Sequence, residues 1–387
     1  MIKMPRVSVV IINWNYGRYV GQAIQSVKDQ TYQNLECIIV DNGSDDESVD
    51  VIADAIRNHP EFTLHKLPRN LGQLGGALYA LRHVRHEYVT FLDSDDVLFP
   101  DFLATHVQVH IGTEHPTGFT SSTTVDINAD GEVITGGNWW MLRSWKEAEP
   151  SLRSADKTVR LDMFDHSAYS SLAERTRYLP MYRPGWNWCV GSSNMYRRVL
   201  MERILPSVST ETVFGGVDGY FTPILHAITG TNLIDRLLNA YRVHGANDFS
   251  MLPGLVGVNS SYGQAESRSY ATAKLTLVSL IDKVDELLKT APANRFWQIL
   301  DVVASTSKGR RMFSESEIKK ALIGQYRQLA GLFGEQTLIR ELRHRMPWND
   351  CLEIVRAVQN GKNFLSAILC LASAELHRKF HRIRKTR

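Results

Sequence analysis

Four cysteines in 387 residues (Cys37, Cys189, Cys351 and Cys370) stand far apart, with no CxxC pair and no His/Cys spacing of a zinc site. Their scarcity excludes a disulfide-stapled scaffold and fits a reducing, cytosolic compartment, with Cys37 and Cys370 as ordinary core residues inside apolar runs. Long hydrophobic runs are missing as well. None approaches the roughly 20 apolar residues that span a bilayer, and the longest candidate, FLSAILCLASAEL (364–376), is interrupted by Ser366, Ser373 and Glu375. The N-terminal apolar run is short and lacks a small-residue cleavage site, so it reads as a strand and not a signal peptide. Phosphate-cradling glycine loops are absent: the turn after the first strand-like run is NWNYGRYV, not GxGxxG, and GxxxxGK[ST] occurs nowhere. That excludes the dinucleotide-binding fingerprint and the P-loop. NLGQLGGAL follows the third strand without an acidic ribose partner, so Gly75 and Gly76 read as sites of close helix packing. His106 and His110 form an HxxxH with no following Glu, which argues against zinc.

What is present is an ordinary globular composition, 43% hydrophobic and 22% charged. The net charge of +3 is uneven: the last eleven residues, HRKFHRIRKTR, carry six Lys/Arg and no acid, which leaves −3 on the rest. Six cations at one terminus, with Phe380 as the one Phe, Tyr or Trp among them, are weak support for a nucleic-acid site. Behind FLSAILCLASAEL they permit residues 364–387 to lie on an anionic membrane surface, or to form a last packed helix with a solvated tail.

The first 110 residues alternate. VSVVII, LECIIVD, FTLHKL and EYVTFLD are continuous apolar strands, and between them lie helices with apolar residues at helical spacing, such as Val49, Ile52, Ala53 and Ile56. This pattern predicts an α/β, Rossmann-like, mainly parallel sheet with helices on both faces. From 111 to about 185 the pattern is irregular, with aromatics in GGNWWMLRSW (Trp139, Trp140, Trp145). Order returns near Trp186, and from about 263 the chain reads as helices. Ser314 with Glu317 has capping-box spacing. The expected organisation is 1–110, 111–255 and a helical 263–387.

Ligands of such sheets bind beyond the carboxyl ends of the strands. Two acidic turns fall there, DNGSDDES from Asp41 and DSDD from Asp93. Each reads either as a turn or helix cap or as a functional cluster. Without a glycine loop, a bound diphosphate needs another counter-charge, and carboxylates supply it through Mg²⁺ or Mn²⁺. Asp96 is assigned to the start of the next helix, and Asn15 to capping the first.

Four segments in series, VSVVIINWNYGRYV, LECIIVDNGSDDES, RNLGQLGGAL and YVTFLDSDDVLFPDFL, resemble the family 2 glycosyltransferases, whose fold is GT-A. A weaker likeness runs through WCVGSSNMYRR, FGGVDGYF and YRVHGANDFS to about residue 250. The resemblance implies a metal-dependent, inverting, non-processive transferase moving one sugar from a nucleotide-diphosphate sugar, a UDP-sugar first, to a glycan or lipid-linked acceptor in bacterial surface polysaccharide synthesis. QxxRW, the motif of processive members, is absent.

Residue by residue, the resemblance makes Asp95 the metal ligand. Asp93 faces ribose or a metal-bound water within Asp93-Ser94-Asp95, and Asp41 binds the base. Ile12 and Trp14 line the base pocket, where Trp14 replaces the usual Tyr. Arg69 and Asn70 reach diphosphate or ribose, or serve as loop residues. Asp218 is the catalytic base, in a stretch where Val217 replaces the family's first acid. His244 closes on the metal or is a loop histidine, and Arg242 pairs with phosphate or closes a fold contact. Trp186 and Trp188 stack on an acceptor sugar or pack in the core. The expected location is cytoplasmic, peripheral at the membrane. The departure at Val217 keeps a degenerate scaffold as the alternative, beside a nucleotidyltransferase on a similar sheet.

Overall fold

The computed structural model describes residues 3–136, 145–146, 148–152, 166–206, 215–245, 247, 262–358 and 371. Trp139, Trp140 and, Leu371 apart, the 364–387 segment lie outside the described residues. Two compact units emerge: residues 1–205 with 209–272, and residues 206–208 with 273–387.

In the first unit, strands β1 (Val7–Asn13), β2 (Leu35–Asp41), β3 (Phe62–Lys66) and β4 (Tyr88–Asp93) alternate with helices α1 (Gly17–Lys28), α2 (Ser48–Ile56) and α3 (Gly72–Leu81). After β4 come β5 (Val97–Leu98), α4 (Phe102–Gly112), β6 (Phe119–Asn128), β7 (Val133–Gly136), β8 (Glu149–Pro150), β9 (Thr176–Leu179), β10 (Asn194–Arg197) and β11 (Thr231–Val243). They form one mixed sheet of order β3-β2-β1-β4-β10-β6-β11-β9-β8, with β5 on β11 and β7 on β6. The long ladders are parallel: β2 and β4 flank β1, β3 flanks β2, and β6 flanks β11.

β1 is buried along its whole length, as a strand covered on both faces must be. Side chains alternate between faces. Val7, Val9 and Ile11 pack with Val20, Ile24 and Val27 of α1, Ile52 of α2 and Val107 of α4. Ile12 faces the other way, toward α3. A Cβ on Gly76 would sit 2.9 Å from Ile12 Cγ2 and 3.2 Å from Asn42 Nδ2, so this glycine sets how closely α3 meets the strand ends. The close packing expected at Gly76 is present. Successive connections place β2 and β3 on one side of β1 and β4 on the other. The crevice at the carboxyl ends of β1 and β4 is therefore a topological switch point.

The second unit is helical, with Phe296–Ser305, Ser316–Gly324, Tyr326–Phe333, Glu335–Arg345 and Trp348–Val358 among its elements. Within it the buried Arg345 forks onto both carboxylate oxygens of Asp301 at 2.9 and 2.7 Å and lies 4.9 Å from the Trp297 ring centre. The capping box expected at Ser314 does not form. Ser314 ends a 3-10 turn, and the helix begins at Ser316 with no side-chain cap.

Candidate active site

Parallel register brings the predicted nucleotide residues to one edge. Asn13 of β1 stands beside Asp41 of β2, and Ile12 beside Asp93 of β4. Asp41 is buried with a fixed carboxylate: Asn13 Nδ2 and Ser44 Oγ donate to Oδ1 at 3.0 and 2.6 Å, and the Ser44 N–H donates to Oδ2 at 3.0 Å. Gly43 makes this turn possible. Its φ is +75°, and a Cβ there would meet the Arg69 backbone at 2.8 Å, so Arg69 is packed against the Asp41 turn. Asn70 Oδ1 accepts the Gly72 N–H at 2.7 Å, which shapes the entry to α3. Trp14, just past β1, is 49% exposed.

Asn15 does not cap α1. With φ at 57° it bonds Asp45 across the cleft edge, and the Gly17 N–H donates to Asp46 Oδ2 at 2.9 Å instead. Asp46 also receives the Ser48 N–H at 3.0 Å. Desolvation opposes its ionisation, but the hydrogen bonds from Ser48 and Gly17 win and hold its pKa below the usual range.

The DSDD turn divides its carboxylates among different partners. The Asp93 N–H donates to Ser192 Oγ at 3.1 Å, and Gln73 Nε2 donates to its carboxylate. Ser94 is buried. Asp95 Oδ2 meets His244 Nε2 at 2.9 Å, with the imidazole stacked on Tyr19 and edge-on to Tyr16, both at 5.3 Å. Asp96 starts no helix. It is buried in the turn before β5, and its Oδ1 accepts the Arg242 N–H at 2.9 Å. Burial, then the neighbouring Asp95 and Asp93, push its pKa well above the carboxylate range. Arg242 closes a fold contact: Nε donates to Asp95 O at 2.7 Å, Nη1 to Asn128 O and Ala129 O at 3.2 Å, and Nη2 to Gln22. Its guanidinium lies over Tyr19, 4.9 Å from the ring centre, which ties the His244 stack to the aspartate turn.

No group of three or more His, Cys, Asp or Glu side chains is gathered as a ready cage among the described residues. At this sheet edge Asp95 and His244 form an adjacent pair able to hold a divalent cation. One carboxylate oxygen and one imidazole nitrogen suit Mg²⁺ or Mn²⁺ when substrate phosphate and water complete the shell.

Asp218 occupies the first turn of the helix Val217–Thr229. Its Oδ1 accepts the Gly219 N–H at 2.7 Å, and a Cβ on Gly216 would fall 2.7 Å from that oxygen. Burial raises the pKa of this carboxyl. Val217, standing where the resemblance expects an acid, is a core side chain at 2% exposure.

Gln73 joins the two halves of the site. While Nε2 donates to Asp93, its Oε1 accepts the Val217 N–H at 3.1 Å, so one side chain spans the aspartate turn and the Asp218 helix. The glycine pattern of NLGQLGGAL does not single out Gln73; its place in the first turn of α3 is the signal that marks it. Gln73→Leu is expected to lower turnover about 10- to 100-fold with little change in nucleotide affinity, because sub-ångström misplacement costs rate. Steady-state kinetics beside calorimetric UDP titration checks this.

Residues 8–150 match Glycosyl transferase family 2. These residues are a family 2 glycosyltransferase domain. The chain is 28% identical over 275 residues to an uncharacterized glycosyltransferase of Nostoc sp., a match covering 70% of this chain and 73% of that protein. It is 28% identical over 142 residues to the chondroitin synthase of Escherichia coli, covering 37% of this chain but 20% of that larger enzyme. Among solved structures, S. aureus TarS 1–349 in complex with UDP aligns over 97% of this chain and 91% of that one, at 17% identity and a TM-score of 0.49.

The two tryptophans expected at the acceptor side part company. Trp186 is 37% exposed and presents a ring. Trp188 is fully buried, edge-on to Phe119 at 5.7 Å and 5.3 Å from His226, so it is a core residue and offers no face to an acceptor. Trp145 packs at the small cluster of Ala148, Leu179 and Leu233. His106 and His110 are core residues as well. His106 bonds Thr120 at 2.6 Å, and burial lowers its pKa to about 3. No helix among the described residues is long and apolar enough to cross a membrane.

Proposed function

We propose that the enzyme moves a single sugar from a nucleotide-diphosphate sugar, with UDP-sugars the first candidates, to a glycan or lipid-linked acceptor in polysaccharide synthesis, by an inverting, cation-assisted displacement. The observation that carries this is the convergence of Asp41, Asp93 and the Asp95–His244 pair at one sheet edge, with Asp218 joined to them through Gln73. The likeness to a chondroitin synthase supports the polymer context.

In this reading the base rests on Trp14 and Ile12 and bonds Asp41, whose oxygens are already oriented by Asn13 and Ser44. Asp93 takes the ribose or a metal-bound water, and Arg69 and Asn70 border the diphosphate. Asp95 and His244 would hold Mn²⁺ or Mg²⁺, which when bound supplies charge neutralisation for the departing diphosphate. Asp218, behind the reacting carbon, accepts the proton of the acceptor hydroxyl, and Trp186 offers the acceptor a stacking face. Residues 364–387 would bring the enzyme to an anionic cytoplasmic surface.

A thermal-shift screen of UDP-, dTDP- and GDP-sugars with and without Mn²⁺ tests the assignment. Stabilisation by at least one nucleotide that depends on the cation is expected, reduced about 10-fold or more in apparent affinity by Asp95→Ala. Failure of every nucleotide to stabilise the wild-type chain sinks the reading.

A further inference from the structure

Across the sheet from the nucleotide residues, β6 carries a carboxylate that the site described so far leaves unused. Asp126 is 8% exposed, and among the described residues no hydrogen bond or ion pair reaches its side chain. Burial alone, with no compensating partner, raises its pKa to about 6. Its oxygens are not among the fully enclosed side-chain atoms without a partner, so a ligand at the sheet edge can reach them and supply hydrogen bonds that the described residues do not.

The surroundings of Asp126 indicate the kind of ligand. β6 lies antiparallel to β10, which is antiparallel to β4, so the carboxyl end of β6 is at the same edge as Asp93. Asp126 stands in register with Tyr241 of β11 on one side and Thr135 of β7 on the other, and residues so paired share a face. The opposite face holds Ala240, Val125 and Ile127 against Val97 and Phe99, and Arg242 against Tyr19. The face of Asp126 also carries Asn239, two residues before Tyr241. Asn239 Oδ1 accepts from Ser193 Oγ at 2.9 Å. Ser192, the next residue in that turn, bonds the Asp93 N–H, and a Cβ on Gly191 would lie 3.8 Å from the Asp218 carboxylate. The turn at 191–193 therefore stands between Asp126 and the reacting centre's carboxylates, all on one side of the sheet.

We propose that Asp126, flanked by Tyr241 and Thr135, is a subsite for two neighbouring hydroxyls of a neutral acceptor sugar. The inference rests on the glycosyltransferase reading above and assigns its acceptor side. A carboxylate accepts two hydrogen bonds side by side, which matches vicinal hydroxyls, and the phenol and the threonine hydroxyl extend the polar row. An anionic ligand is disfavoured here, since the carboxylate brings its own negative charge. The nucleotide half is already accounted for at β1, β2 and β4, which leaves this row for the second substrate.

Saturation-transfer NMR on the full chain with Mg²⁺, UDP and the methyl glycosides of glucose, galactose, mannose and N-acetylglucosamine tests the subsite. The wild type is expected to transfer saturation to UDP and to at least one glycoside. Asp126→Ala should weaken the glycoside about 10-fold or more while leaving UDP unchanged. Asp126→Asn keeps the shape and removes the charge, so its Tm should equal or exceed that of the wild type although glycoside binding falls. A wild type that binds UDP but no glycoside, glycoside binding that persists in both variants, or an Asp126→Asn chain that melts earlier with glycoside binding intact overturns the subsite. Loss of the UDP signal in the wild type instead overturns the glycosyltransferase reading beneath it.

Discussion

Asp218→Asn is expected to lower sugar transfer about 10²- to 10⁴-fold while leaving cation-dependent nucleotide binding intact. The amide preserves shape and still accepts the Gly219 N–H, so the start of the Val217–Thr229 helix should hold. In the proposed reaction, what disappears is the capacity to take the acceptor's proton. The same carboxyl sets an acid limb. Burial raises its pKa, so the base becomes protonated, and activity falls, at a higher pH than an ordinary aspartate would allow. A pH profile of kcat/KM in the wild type should show that limb, and the Asn variant's residual rate should lack it. Nucleotide affinity measured in parallel separates Asp218 from Asp95, whose replacement should weaken binding itself. Transfer by Asp218→Asn within a few-fold of the wild type would remove Asp218 from the mechanism and restore the degenerate-scaffold alternative that Val217 raises.

Arg242→Met is expected to destabilise the first unit by about 3–5 kcal/mol. Methionine fills part of the volume but donates nothing. Asp95 O, Asn128 O, Ala129 O and Gln22 Oε1 would all lose their donor, in a place where the arginine is 1% exposed. Tyr19 loses its cation, and the His244 imidazole that stacks on Tyr19 loses part of its support. Nucleotide affinity should therefore fall along with the chemical-denaturation midpoint. Asp218→Asn should not show this combination. Arg242→Met with an unchanged midpoint but impaired nucleotide binding would instead favour the phosphate-pairing role considered for this residue.

Much of the α/β architecture could be read from the residues because its causes are local. Continuous apolar runs such as VSVVII are tolerated only between two layers of helices, and helical spacing of Val20, Ala23, Ile24 and Val27 marks the face that covers them. Acidic turns directly after such strands fall at the ligand-binding edge by topology alone. Asp41, Asp93 and Asp95 could thus be named as one group before any distance was known. Capping assignments fared worse. Asn15 and Ser314 had suitable chemistry and position, yet the N–H at Gly17 found Asp46 from another loop. Asp96, an acid ahead of a helical stretch, became a buried acceptor for a backbone 146 residues away.

The chain by itself therefore determined the alternation of strands and helices in its first half, the edge where a nucleotide would sit and the residue types gathered there, since periodicity and strand ends are short-range properties. Pairing across long loops is not. That Arg242 braces the aspartate turn, that Gln73 spans to the Val217 backbone, that Trp188 is core while Trp186 is not, and that Asp126 lies beside Tyr241 were decided only in three dimensions. Each depends on which distant backbone group or side chain arrives to satisfy a donor or acceptor, and no local pattern encodes that arrival.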